Sequence, residues 1–108
     1  MLYVGNAFSL GMLQDSEVTL KVTEVSLATV KELLQSSDWQ SAIGHQGTSE
    51  ILTSLLDTEV PMNRVALKLV KGDTLIVFQL LTRLEEGRVL SKEEIEKLPY
   101  KFFLVEIA

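Results

Sequence analysis

The chain carries a single histidine, His45, and three arginines, Arg64, Arg83 and Arg88. Among side chains, only an imidazole changes charge near neutral pH without help from its surroundings. His45 sits in Ser41-Ala42-Ile43-Gly44-His45-Gln46-Gly47-Thr48, a junction between an apolar run and a helical pattern. The first turn of a helix presents unpaired backbone N–H groups and a positive dipole end, both suited to phosphate. Gly44 and Gly47 leave room for a ligand to approach the backbone. A histidine in this place can hand a proton to a leaving oxygen. The same position suits a solvated loop histidine with no chemical task. Arg83 closes a strand-like run, and Gln79 faces the same way four residues earlier. If residues 64–70 and 74–83 pair as a hairpin, Arg64 lies opposite Arg83 and two guanidiniums converge on one anion. The competing reading pairs Arg83 with Glu85 or Glu86 on the surface, where such pairs contribute little. Asn6 and Ser9, at the end of the first apolar run, either hydrogen-bond a ligand or shape a turn.

Composition removes several classes of chemistry. There is no cysteine and only one histidine, which argues against thiolate metal sites, zinc and disulfides. The carboxylates show no metal-ligand spacing, although magnesium held through substrate phosphates stays open. No glycine-rich phosphate loop or nucleophile elbow is present, so no cofactor or resident metal is expected. Ten Lys and Arg face fifteen Asp and Glu, a net charge of −5. Polynucleotide binders depend on a basic surface, so DNA is not an expected partner. A small anion in a local pocket needs only a few well-placed cations. No apolar run approaches the roughly 20 residues of a membrane span. The N-terminus lacks the charged start of a signal peptide. The expectation is a cytoplasmic protein with no membrane partner.

These residues require elements to hold them. With 108 residues, the chain is expected to form one domain, 1–108. Residues 2–8 read as a strand, and residues 18–23 alternate with period two as a second. Ser26 is a good N-cap for a helix carrying Leu27, Val30, Leu33 and Leu34 on one face. Residues 39–45 form a short strand. Gly47 or Thr48 then opens a helix with the stripe Ile51, Leu52, Leu55 and Leu56. The runs 64–70 and 74–83 flank the turn signal Lys71-Gly72-Asp73. Ser91-Lys92-Glu93-Glu94 matches a capping box for a third short helix, and residues 102–107 are the last strand. The expected class is α/β (α+β): a single mixed β-sheet with three helices mainly on one face, in the order β-β-α-β-α-β-β-α-β. In the run 74–83, Ile76, Phe78 and Leu80 share one face, while Leu75, Val77, Gln79 and Leu81 share the other. Both faces are therefore partly apolar. The economical cover for the second face is another subunit, so a homodimer is expected; a second helix layer is the alternative.

The order and spacing of four short segments resemble the small dimeric ring nucleases of archaeal viruses and bacterial mobile elements, which act as anti-CRISPR proteins against type III immunity. The segments are Asn6-Ala7-Phe8-Ser9, Ser41-Ala42-Ile43-Gly44-His45-Gln46, Val60-Pro61-Met62-Asn63-Arg64-Val65 and the stretch 79–87 with Gln79, Arg83 and Glu86. Together they span nearly the whole chain. The resemblance implies that the ligand is cyclic tetra-adenylate, held across a two-fold dimer cleft. It implies His45 as general acid, Arg83 and Arg64 on phosphate and transition-state charge, and Glu86 positioning its neighbours or the catalytic His45. It implies that Asn6, Ser9 and Gln79 contact the ring. Family members often have proline where this chain has Glu85, which places an extra carboxylate near Arg83. The implied reaction uses the ribose 2′-OH as nucleophile and needs no metal, only cations on the phosphate and an acid for the departing 5′-oxygen. It ends in linear di-adenylate with 2′,3′-cyclic phosphate ends. The alternative is a non-catalytic dimer of a mobile element that sequesters the ring or binds a protein.

Overall fold

The structure, a computed structural model, describes residues 1–82 and 90–108. In chain order the elements are β1 (Leu2–Gly5), a 3-10 turn (Leu10–Met12), β2 (Leu20–Val25), α1 (Leu27–Ser36), β3 (Trp39–Ala42), α2 (Gln46–Leu56), β4 (Thr74–Leu80), α3 (Lys92–Glu96) and β5 (Tyr100–Ile107). The five strands form one sheet in the order β2-β5-β4-β1-β3. β1 runs parallel to both β3 and β4. β5 is antiparallel to β4 and to β2. Parallel neighbours cannot be joined by a tight turn, and the chain passes from β1 to its neighbour β3 by way of β2 and α1. The helix starts follow local chemistry. The Ser26 hydroxyl accepts the Thr29 N–H at 3.2 Å. Ser91 and Glu94 form the reciprocal capping box expected of their spacing.

Alternation along the strands sorts the core onto two faces. Val4, Ile76, Phe78 and Phe102 pack beneath Val30 and Leu34 of α1, Ile51, Leu52 and Leu55 of α2, and Ile95 of α3. The Phe78 ring lies 5.2 Å from Phe102 and 5.6 Å from Tyr100, centre to centre. All three helices thus serve one face, as expected. Leu75, Val77, Val105 and Ile107 form a second cluster on the opposite face, with Leu69 over them.

The segment 64–70 departs from expectation. It is not a strand, and no hairpin joins it to β4. The reason is the occupancy of β4: β1 takes one of its hydrogen-bonding edges and β5 the other. The apolar alternation of the segment is put to a different use. Leu67 and Leu69 pack onto the second face, and Leu69 makes a single parallel bridge to Leu13. Lys71-Gly72-Asp73 is a turn as expected, with Gly72 at φ +95°, but it leads from this covering segment into β4. The strand count therefore falls by one, to the order β-β-α-β-α-β-α-β. The proposed register of Arg64 opposite Arg83 falls with the hairpin, and Arg83 itself lies outside the described residues.

The second face is also covered differently. Phe8, Met12, Leu13 and Val18 from the β1–β2 connection join Leu67 and Leu69 over it. The chain supplies this cover itself, as irregular segments and one 3-10 turn rather than a helix layer. The apolar second face of β4 is therefore not in itself a reason for a second subunit.

Candidate functional site at the parallel strand ends

β1, β3 and β4 are parallel and finish at the same edge of the sheet, where Gly5 is level with Ala42 on one side and Val77 on the other. Open α/β sheets collect ligands at such carboxyl ends, because the connecting segments diverge there and leave a crevice. The residues that follow each strand are the ones with chemistry to offer: Asn6 after β1, Gly44 and His45 after β3, and Gln79 near the end of β4.

A cavity of about 140 Å³ opens at this edge. Asn6, Gly44 and Arg64 form its polar side, and Ala7, Met12, Ala42, Val65 and Leu67 contribute most of its apolar wall. The Gly44 N–H donates to Asn6 Oδ1 at 3.1 Å. This bond fixes the carboxamide, so the Asn6 amide nitrogen keeps its two protons for another acceptor. The stem of Arg64 lies against Gly44: its Cγ is 3.8 Å from where a Cβ on Gly44 would stand. His45 is the N-cap of α2, in extended conformation at φ −131° and ψ 132°. Its carbonyl accepts the Ser49 N–H, while its side chain is exposed and makes no cap hydrogen bond. An arginine stem and a fixed amide thus meet at Gly44, and the next residue, His45, opens α2 with an exposed imidazole that does not itself line the cavity. This arrangement can bind an oxyanion and deliver a proton to it.

Arg64 reaches this corner by a route the sequence reading did not contain. Residues 60–63 run beside the outer edge of β3 and are fastened to it. Ser41 Oγ donates to the Pro61 carbonyl at 2.6 Å. The Asn63 N–H donates to the Ile43 carbonyl at 2.8 Å. Asn63 Nδ2 donates to the Ser41 carbonyl at 2.6 Å. From α2, Ser49 Oγ donates to the Val60 carbonyl, and the Val60 N–H donates to Thr53 Oγ1. Ser41, Ser49 and Asn63 were given no role from sequence. The available signal was a set of small polar residues at positions where an apolar stripe was interrupted.

The other expected site residues divide into two groups. Ser9 is exposed on the loop after β1, and Gln79 is exposed and paired with Lys101; both belong to the same edge of the fold without lining the cavity. Arg83 and Glu86, with Glu85, lie outside the described residues. Among the described residues no group of three His, Asp or Glu side chains is placed to hold a metal ion, and no helix is long and apolar enough to cross a membrane.

Comparison with known proteins adds a family. Residues 2–102 match the family model described as STIV B116-like. Uncharacterized protein 26 of Sulfolobus islandicus filamentous virus is 39% identical over 108 residues, covering 99% of this chain and 92% of its own length. Protein YddF of Bacillus subtilis is 32% identical over 87 residues, covering 79% of this chain and 81% of its own. The solved structure of B116 from Sulfolobus turreted icosahedral virus superposes with a TM-score of 0.82 at 30% identity, covering 97% of each chain.

Proposed function

The chain belongs to the STIV B116-like family, and from that premise and the chemistry of its strand ends we propose that it is a metal-independent ring nuclease acting on cyclic tetra-adenylate. The observation that carries the reading is the corner at Gly44. There the Asn6 carboxamide is fixed, the Arg64 stem packs against the backbone, and His45 opens α2. The resemblance of the four motif segments to viral ring nucleases supplies the substrate. The viral sources of the relatives agree with a role against type III CRISPR signalling.

In this reading the ring's own 2′-oxygen attacks the adjacent phosphorus. An O2′–P bond forms, the P–O5′ bond breaks, and the proton of the 2′-OH passes to solvent. O5′ departs as an alkoxide unless it is protonated, and His45 supplies that proton. Arg64 and the start of α2 stabilise the charge that builds on the phosphoryl oxygens. Arg83 joins Arg64 on the phosphate and Glu86 holds neighbouring groups in place, while Asn6, Ser9 and Gln79 contact the ring. The balance gives a 2′,3′-cyclic phosphate and a free 5′-OH, and two such cuts release linear di-adenylate.

The cavity volume bears on the assembly. Ordinary ligand clefts occupy roughly 300–1,000 Å³, and about 140 Å³ takes one phosphate with part of its nucleoside. A ring of four nucleotides needs further walls, and a two-fold partner supplies a second copy of the same corner. Leu10, Met62 and Val65 are exposed apolar side chains on the segments that flank the cavity, and they suit burial against that partner. The protein is accordingly read as a homodimer working in the cytoplasm.

The decisive experiment is incubation with labelled cyclic tetra-adenylate in EDTA, followed by product analysis. The expected product is di-adenylate ending in a 2′,3′-cyclic phosphate. Tight binding without products would assign the protein to sequestration. Cleavage that requires added magnesium or manganese would refute the mechanism, and absence of both binding and cleavage would refute the reading.

A further inference from the structure

We propose that Asn63 and Ser41 are positioning residues that mount Arg64 on the edge of β3, so that the 60–64 segment acts as a rigid arm carrying the phosphate-binding guanidinium. The proposal rests on the ring-nuclease reading for its ligand, but the mount is a property of the ligand-free protein.

The argument starts from the edge of the sheet. β3 is an edge strand, next to β1, and its residues alternate between bonding to β1 and pointing outward. The carbonyls of Ser41 and Ile43 point outward, since both receive donors from Asn63. Asn63 thus does the work of a neighbouring strand with one residue, its backbone N–H on Ile43 and its carboxamide on Ser41. The Ser41 side chain adds the third tie, to Pro61. Proline has no N–H and cannot pair through its nitrogen, so its carbonyl is what remains to be held.

Burial makes these ties stiff. Ser41 and Ser49 are each 5% exposed, and their hydroxyls donate to the carbonyls of Pro61 and Val60. If the arm lifts, buried hydroxyls lose their acceptors, and leaving a buried polar group unpaired carries its full desolvation cost. The arm therefore has one favourable place. The residue directly after Asn63 is Arg64, and its stem rests against Gly44. A side chain as long and exposed as arginine is otherwise free to sample many rotamers. Fixing its backbone one residue away, and giving its stem a flat glycine to lie on, narrows where the guanidinium can go and holds Arg64 at the cavity wall.

The test is a double-mutant cycle with an isosteric change. Asn63→Asp keeps the shape and replaces the donor by an acceptor facing the Ser41 carbonyl. Affinity for cyclic tetra-adenylate is measured for the parent, Asn63→Asp, Arg64→Ala and the double variant. Asn63→Asp is expected to weaken binding roughly tenfold in the parent, and by less than about twofold when Arg64 is already alanine. A residue of merely structural value would give the same loss in both backgrounds, and that result overturns the proposal. Ser41→Ala is the second variant, with the same expected pattern. Amide hydrogen exchange on the free protein supplies an arm that needs no ligand. In Asn63→Asp the residue-63 amide is expected to exchange at least about tenfold faster while the β5 amides keep parental rates. Unchanged exchange at residue 63 also overturns the proposal. If the parent does not bind the ring, the nuclease reading fails, and the exchange result alone decides the mount.

Discussion

Replacing Gly44 by alanine separates folding from ligand approach at the proposed site. A Cβ at this position would stand 3.8 Å from Arg64 Cγ and 4.0 Å from Asn6 Oδ1. Both are ordinary contact distances, and the backbone of Gly44 is outside the left-handed region. Nothing in the fold therefore demands glycine. Removing a glycine's freedom in the unfolded chain stabilises a compatible site by about 0.4–1 kcal/mol. For a domain of this size that is a gain in Tm of roughly 2–6 °C, with no change as the lower bound. The effect on binding has the opposite sign. A methyl group fills roughly the 30 Å³ share of one water, about a fifth of the 140 Å³ cavity. It would stand in the corner between the Asn6 carboxamide and the Arg64 stem. A phosphate displaced from one charge-assisted hydrogen bond there loses about 1.5–3 kcal/mol, or roughly ten- to a hundredfold in Kd. The assay is a thermal melt together with isothermal titration of the variant with cyclic tetra-adenylate. A large fall in Tm would refute the packing argument. Parental Tm with parental affinity would show that the ligand does not use this corner.

Other substitutions address the remaining roles. His45→Ala is expected to keep most of the ring affinity while slowing single-turnover cleavage by roughly 10²–10⁴-fold, the usual reach of general acid catalysis; a variant that cuts at the parental rate removes His45 from the chemistry. Light scattering at micromolar concentration is expected to give the mass of a dimer, and a Leu10→Glu change on the exposed 3-10 turn is expected to shift that mass toward the monomer; an unchanged dimer would place the interface elsewhere. Asp57 closes α2 in the left-handed region at φ +50°, and its contact with Lys31 at 3.5 Å is exposed. Asp57→Gly is therefore expected to raise stability by about 1 kcal/mol, read as a higher Tm, because glycine bears that conformation without strain and the lost pair contributes little; a lower Tm would show the ion pair to be the stronger effect.

Local order and the identity of each apolar face were legible in the residues, because both depend on near neighbours along the chain. A serine before a helical stripe caps it wherever the helix later packs, and Ser26 and Ser91 do so. Period-two alternation in β4 announces two buried faces, and Ile76 and Phe78 go one way while Leu75 and Val77 go the other. Asn6 and His45 were singled out at the ends of apolar runs, and those runs do become strand ends. Pairing was not legible in this way. The run 64–70 has the alternation of a strand, but a strand needs a free hydrogen-bonding edge, and those of β4 belong to β1 and β5. Hydropathy records that Leu67 and Leu69 must be buried and is silent on whether a sheet, a loop or a second subunit buries them. Arg64 was singled out through a hairpin that does not form and through the resemblance; it lines the cavity on a segment that Asn63 and Ser41 tie to β3. Those ties join residues some twenty positions apart, and only the closed chain brings their donors to their acceptors.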